Sequence, residues 1–172
     1  MDWYMVTLVG RDRPGIVARV TQALFEGGAT LGEAAMMRLG GNFAVMMMVG
    51  TEGSRSDLEA RLAAPAADLA LHVHVDPIEG RLHEHLVPDV RIRVFGADRP
   101  GIVAQVTGAL AEAGFDITDL ESDVAGTAEA PVYVMTIEGQ ARSGIPPLEA
   151  ALATVRGQGI EAELEPVETL VG

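Results

Sequence analysis

The sequence predicts an α+β fold of two similar units, each built in the order strand, helix, strand, strand, helix, strand. The first observation is an internal repeat, because the heptapeptide DRPGIVA occupies residues 12–18 and again residues 98–104. Around the heptapeptide, residues 10–28 and 96–114 are identical at fourteen of nineteen positions, which indicates duplication of one structural unit. The second observation is the length of 172 residues, which is enough for two small domains with their own cores.

The first unit begins with a strand over 3–9, where β-branched and aromatic residues cluster. The apolar period then changes, since Ile16, Val20 and Leu24 recur every four residues. This spacing predicts an amphipathic helix that ends at Gly27-Gly28. Pro14 is predicted at the first helical position, where its missing N–H group would have had no partner.

Two strands follow in the first unit, over 30–39 and 43–49, and the Gly-Gly-Asn segment between them predicts a hairpin. Leu58 and Leu62 then indicate a second helix, which we expect Pro65 to stop. A last strand over 69–75 closes the unit. The order of elements is that of a ferredoxin-like fold, with two helices over one face of a four-stranded antiparallel sheet.

The second unit repeats this order. Ile102, Val106 and Leu110 predict its first helix, and residues 146–157, bounded by prolines and a glycine, predict its second. Its strands are predicted over 90–95, 115–124, 132–137 and 160–167. The domain boundaries that follow are 1–76 for the first unit, 77–89 for a polar linker bounded by prolines, and 90–172 for the second unit.

Composition excludes several classes of function. The net charge is −13, and so acidic a surface repels nucleic acid, so we expect no direct nucleic-acid binding. The chain contains neither cysteine nor lysine, which excludes disulfides, thiolate catalysis and Schiff-base chemistry on lysine. Its apolar stretches are far shorter than the roughly 20 residues that cross a bilayer. With no basic segment at the N-terminus, we expect a cytoplasmic protein and no membrane association.

The repeated loop has the chemistry of an anion site. Pro14 restricts the backbone of Arg13, and Gly15 has no Cβ, so a ligand has room to approach the main chain. The N–H groups at the start of the helix lack internal partners and favour a carboxylate. Asp12 adds an acid that orients the loop or holds an ammonium group, which suits a zwitterion. The alternative is an ordinary capping turn with no ligand.

A strand, then Gly-x-Asp-Arg-Pro-Gly-Ile-Val-Ala, then a short amphipathic helix resembles the ACT domain, and the resemblance covers nearly the whole chain. The resemblance implies a regulatory module that binds a small amino acid at the interface between two ACT units. It implies ligand-binding roles for the strand-to-helix loop and for the start of the next strand. In this chain those residues are Asp12, Arg13, Pro14, Gly15, Ile16, Thr30 and Leu31, and in the second copy Asp98, Arg99, Pro100, Gly101, Ile102, Asp116 and Ile117.

Two ACT-like units and nothing else resemble the glycine cleavage system transcriptional repressor family. This resemblance implies a regulator that binds glycine or serine and acts through a protein partner, such as a transcriptional activator, instead of binding DNA. It implies no cofactor. We also expect a homodimer, because ACT edges commonly associate and an exposed sheet edge is a template for pairing.

Other signals favour structural roles. The pairs His72 with His74 and His83 with His85 have the spacing of a metal clasp, but no tight multi-ligand motif accompanies them, so no metal is expected. The run of methionines at 46–48 is predicted to lie in a buried strand. No nucleophile with an adjacent base appears, so we expect no catalytic residues. Two alternatives to the amino-acid sensor stay open: a ligand-free protein-interaction module and a small enzyme.

Overall fold

The computed structural model describes residues 1–79, 86–97 and 100–167, and it divides the chain into two compact units, 1–84 and 85–172. The described part of the first unit, residues 1–79, contains two helices and four strands in the predicted order. These are β1 (Asp2–Arg11), α1 (Ile16–Glu26), β2 (Thr30–Leu39), β3 (Asn42–Thr51), α2 (Arg55–Leu69) and β4 (Leu71–Ile78). The second unit repeats them as β5 (Val90–Ala97), α3 (Ile102–Glu112), β6 (Phe115–Thr127), β7 (Ala130–Ala141), α4 (Ile145–Arg156) and β8 (Glu161–Pro166).

Each unit has one antiparallel sheet. Its strand order is β2-β3-β1-β4 in the first unit and β6-β7-β5-β8 in the second. Because β1 and β2 both pair antiparallel with the strand between them, they run parallel to each other and are joined by a crossover helix. The predicted ferredoxin-like α+β fold is therefore confirmed for both units.

The helices cover one face of each sheet. In the first unit Val6 and Leu8 of β1 are fully buried. They lie in one core with the α1 side chains that the apolar period predicts to be buried, those of Ile16, Val20 and Leu24. The second core has the same construction, with Ile92 and Val94 against Ile102, Val106 and Leu110. Burial of these aliphatic side chains stabilises each by roughly 1.5–3 kcal/mol, so the duplicated spacing builds two separate cores.

The prediction that Pro65 ends the second helix is wrong, and so is the strand start at Leu69. Helix α2 continues through Pro65 to Leu69, and the strand begins at Leu71. Pro65 lacks the N–H that would bond the carbonyl of the preceding turn, but burial of Leu58, Leu62, Ala66 and Leu69 continues along one face. Tertiary packing of that face outweighs the local preference to end the helix.

The methionine run is only partly buried. Met47 and Met48 are buried, as predicted, whereas Met46 is 50% exposed, so its predicted burial is wrong. Neighbouring residues of a strand point to opposite faces, and Met47 lies on the face that the helices cover. Met46 lies on the opposite face, beside Thr7 on β1 and Ala35 on β2.

Strand β4 is an edge strand that runs to Ile78, two residues past the predicted end of the first domain. It includes Pro77, opposite Tyr4 of β1, and proline is tolerated on an edge strand because such a strand has a partner on one side only. The predicted linker is described for residues 77–79 and 86–89, and its remaining residues lie outside the described part. No described helix combines the length and the apolar character that crossing a bilayer requires.

Candidate functional site

The loop between β1 and α1 is built around a left-handed glycine. Gly15 has φ 85° and ψ 2°, the angles of the third position in a type II turn, which favours glycine. Its carbonyl accepts the first helical hydrogen bond, from the N–H of Arg19 at 3.0 Å. The helix therefore begins at Ile16, and the predicted placement of Pro14 at the first helical position is wrong. Pro14 precedes the N-cap residue instead, because a left-handed residue cannot belong to a right-handed helix.

Asp12 contacts the β2–β3 hairpin. Its N–H donates to the carbonyl of Gly41 at 3.0 Å, and its carboxylate forms an ion pair with the guanidinium of Arg38. Gly15, the N-cap residue of α1, has no side chain to cap the helix, and no described side chain makes a cap hydrogen bond there. Asp12 therefore does not cap α1, which removes the physical basis of the simple capping interpretation in this unit.

The loop and the hairpin enclose a shallow concavity of about 290 Å³. Its polar groups are Asp12, Arg13 and Arg38, and its apolar wall includes Met36 and Phe43. Pro14, Gly15, Ile16, Val17 and Ala18 complete the lining. The structure thus brings the first five predicted residues of this copy together. The side chain of Ile16 is buried in the core, so its part in any contact with a ligand is through the backbone.

Sequence reasoning missed the contributions of Met36, Arg38 and Phe43. Arg38 lies opposite Phe43 in the register of the β2–β3 hairpin. Phe43 in turn lies opposite Gly10 of β1, close to the start of the loop. The signal was present in the Gly40-Gly41 turn, because a two-residue turn fixes which residues lie opposite each other. The position of β3 between β1 and β2 was also needed to bring this hairpin beside the loop.

The structure separates the other two predicted residues of the first copy from the loop. Thr30 pairs with Gly50, which pairs with Trp3 near the start of β1, whereas the loop follows Arg11 at its end. These positions are eight residues apart along β1, roughly 26 Å at about 3.3 Å per residue. Thr30 and Leu31 therefore lie at the opposite end of the same sheet and cannot line the concavity of their own unit.

The second unit has the same loop geometry where it is described. Gly101 has φ 87° and ψ −2°, and α3 begins at Ile102, whose side chain is buried. Pro100 precedes the glycine, as in the first unit. Asp98 and Arg99 were predicted to belong to this site and lie outside the described residues.

The second unit has a concavity of about 350 Å³ at the start of β6, lined by Gly114, Phe115, Asp116 and Arg142. The carboxylate of Asp116 is paired with the guanidinium of Arg142, a residue that sequence reasoning missed. Ile117 is partly buried and packs against the core. As in the first unit, the predicted residues at the strand start and those of the loop lie at opposite ends of the sheet.

Within the described ranges, no group of three or more histidine, cysteine or acidic side chains is arranged to hold a metal ion. His74 lies 3.0 Å from Asp76 on β4, and both are exposed. His83 and His85 lie outside the described residues.

Comparison with known proteins agrees with the duplication. Models of the ACT domain match residues 4–76 and residues 90–157. The UPF0237 protein YjhC of Lactococcus lactis is 39% identical over 72 residues, which are 41% of this chain and 83% of that protein. The glycine cleavage system transcriptional repressor of Escherichia coli is 25% identical over 121 residues, which are 70% of this chain. The match spans 64% of the repressor's length.

The fold agrees as well. A crystal structure of an unknown protein from Galdieria sulphuraria superimposes with a TM-score of 0.78, at 24% identity. The superposition covers 97% of this chain and 99% of that one. At this identity the likeness concerns the fold alone, and it extends over both units.

Proposed function

The chain belongs to the ACT domain family, and from that premise we propose that it is a regulatory protein without catalytic activity. In this proposal it binds a small amino acid, glycine or serine by preference, at an interface of ACT units. The bound amino acid then changes the affinity of the protein for a protein partner. A ligand has this effect only when it binds one conformation better than another, so binding and regulation are tested separately.

The charged concavity beside Gly15 carries the proposal. It presents a carboxylate and two guanidinium groups within one small surface, which complements a molecule that carries an ammonium and a carboxylate. The first-turn N–H groups of α1 add donors without internal partners. The small volume and the apolar wall of Met36 and Phe43 favour a ligand with a short side chain.

The proposed readout is transcription through a partner such as a transcriptional activator. It is supported by the name of the Escherichia coli relative, a repressor of the glycine cleavage system. The net charge of −13 opposes direct DNA binding, which favours action through a protein.

We further propose a homodimer, since β2 and β6 are edge strands with exposed side chains along most of their length. Light scattering should give twice the 18.1 kDa of one chain.

A thermal-shift screen against the twenty amino acids and simple carboxylates, followed by calorimetry, tests the binding step. A ligand that binds the folded state stabilises it by about 2.7 kcal/mol at one hundred times its Kd, so selective binding gives a clear rise in Tm. We expect glycine or serine to give that rise and Gly15→Val to weaken the binding, with circular dichroism showing that the variant is folded. The absence of a shift with every compound would contradict the sensor and favour the ligand-free interaction module.

A further inference from the structure

The two loop sites differ in one charged residue that the registers of the two sheets identify. In the first sheet Phe43 of β3 lies between Gly10 of β1 and Arg38 of β2. In the second sheet Tyr133 of β7 lies in the same way between Gly96 of β5 and Val124 of β6. Gly10 and Gly96 are equivalent positions at the start of the repeated segment. Val124 therefore occupies the place of Arg38, and the second unit lacks that guanidinium.

We propose that Arg38 and Asp12 form an exchangeable ion pair that makes the first unit select ligands with a carboxylate. In the free protein the two side chains pair with each other. A bound zwitterion replaces both halves of the pair, with its carboxylate on Arg38 and its ammonium on Asp12. The inference rests on the proposed amino-acid binding and adds the residue that selects the ligand.

The exposure of the two side chains permits this exchange. The Arg38 side chain is 69% exposed, so the guanidinium is accessible to a ligand from solvent. An ion pair this exposed is held weakly, because water and salt screen the attraction. Asp12 is 22% exposed, and its backbone is fixed to Gly41, so the carboxylate keeps its position when its partner changes.

The charge balance of the concavity favours an anionic group. Two guanidinium groups, of Arg13 and Arg38, lie around the single carboxylate of Asp12. This surface is locally cationic on a chain whose net charge is −13. A ligand without a carboxylate leaves Arg38 paired with Asp12 and must compete for that acid as a bare cation. A carboxylate instead gains a charge-assisted, bidentate partner in the guanidinium.

Calorimetry with glycine, serine and glycinamide as probes tests the inference. Glycinamide keeps the ammonium and lacks the carboxylate. We expect the full-length wild-type protein to bind glycine or serine and to bind glycinamide at least about tenfold more weakly, the loss expected for a missing charge-assisted hydrogen bond. Arg38→Val, which installs the side chain found at residue 124, should weaken amino-acid binding by at least the same factor. Arg38→Gln should do the same, and Arg38→Lys should retain part of the affinity.

Arg93→Val is the matched control. Arg93 is also an arginine on a strand, partly exposed and paired with an acid, Glu165, at 3.0 Å, but it lies in the second unit. Its removal should leave the affinity unchanged. Circular dichroism and Tm without ligand show whether each variant is folded.

The outcomes separate the inference from the proposed function. Amino-acid binding that is equal in the wild-type protein and in both Arg38→Val and Arg38→Gln would overturn the inference and leave the proposed function standing. Equal affinity for glycine and glycinamide would also overturn it. Absence of binding by any probe to the wild-type protein would overturn the proposed function and the inference together.

Discussion

Gly15 and Gly101 are required by backbone conformation, not by crowding inside the protein. Both have φ between 85° and 87°, and a Cβ built on either one meets nothing within 4 Å. The left-handed conformation is unfavourable for residues with a side chain. The open space around each glycine also agrees with the prediction that a ligand approaches the main chain there.

We expect Gly15→Ala to lower the free energy of unfolding by about 1–2 kcal/mol, since alanine must adopt a left-handed conformation at that position. Gly108→Ala is the matched control with the opposite sign. Gly108 lies inside α3, has open space around its Cβ position and is not among the residues of positive φ, so alanine should raise the free energy of unfolding by about 0.5–1 kcal/mol. Urea denaturation measures both, and equal effects of the two substitutions would contradict the conformational explanation.

The candidate site was predictable where it depends on local sequence and not where it depends on strand pairing. The repeated heptapeptide identified Asp12 to Ile16 because the turn, the glycine and the helix start are contiguous. Arg38 was not identified, because it reaches Asp12 only after β3 has paired with β1. Arg142 was not identified, because it meets Asp116 only at the open end of the long β6–β7 hairpin. The resemblance predicts that Thr30 lines a ligand site between two units together with the loop, and within its own unit the direction of β2 places Thr30 at the other end of the sheet from the loop.

At the scale of elements, helix α2 contains a proline in its interior that destabilises it. Pro65 lies in its interior and removes one main-chain hydrogen bond, which costs up to about 3 kcal/mol relative to alanine. We expect Pro65→Ala to raise the free energy of unfolding by about 1–3 kcal/mol in chemical denaturation.

Pro146 provides the control, because it lies in the first turn of α4, where backbone N–H groups have no helical partner. Pro146→Ala should change the free energy of unfolding by less than about 0.5 kcal/mol. A similar gain at both positions would show that the interior hydrogen bond is not the cause.

The start of α2 contributes a pH-dependent stability. Ser54 and Asp57 form a reciprocal capping box, in which the Ser54 N–H donates to Asp57 Oδ2 at 2.8 Å. This backbone hydrogen bond, with that from the Ser54 hydroxyl, lowers the pKa of Asp57 below its ordinary value. A lowered folded-state pKa contributes stability that is present above the unfolded pKa, near about 4, and is lost as the pH falls through the folded value.

We therefore expect Asp57→Asn to lower the free energy of unfolding at neutral pH and to have a smaller effect at an acid pH below the unfolded pKa, because the contribution of the ionised carboxylate is lost as the pH falls through the lowered folded pKa. Denaturant titrations of both proteins at the two pH values measure the difference. An effect of equal size at both values would mean that the ionised carboxylate is not the stabilising form.

Most elements were predictable from period and turn residues, and the two exceptions depend on tertiary packing that the local sequence does not show. The apolar periods of α1 and α3 agree with the buried residues that the structure shows, because each helix buries one stripe. The end of α2 differs from the prediction because burial of Ala66 and Leu69 beyond Pro65 outweighs the local preference of proline to end a helix. Met46 was misplaced because the run of three methionines conceals which of them faces the helices.

At the scale of the whole molecule, the two units share a fold and differ in their open sheet faces, the faces opposite the helices. In the first unit that face presents exposed apolar side chains, among them Val9, Met37 and Met46. In the second it presents a charged ladder, in which Arg91 lies 2.6 Å from Glu138 and Arg93 lies 3.0 Å from Glu165. Duplication therefore preserved the cores and the glycine turns while these faces diverged.

The net charge of −13 predicts that the protein does not bind duplex DNA directly, because association with phosphates requires a cationic surface. We expect no rise in the anisotropy of a labelled duplex at low ionic strength, with or without glycine. A rise that disappears on addition of salt would contradict a regulator that acts only through a protein partner.

Arg38 also affects the tendency of the protein to aggregate, because it lies on an edge strand. It is the single charge in the segment from Ala34 to Leu39, and β2 is an edge strand. An apolar edge without charge is a template for the growth of intermolecular β-sheet, and one charged side chain acts as a gatekeeper against that aggregation. Solubility thus constrains this position independently of any ligand, so a change that relaxed ligand selection here would also weaken the protection of the chain against self-assembly.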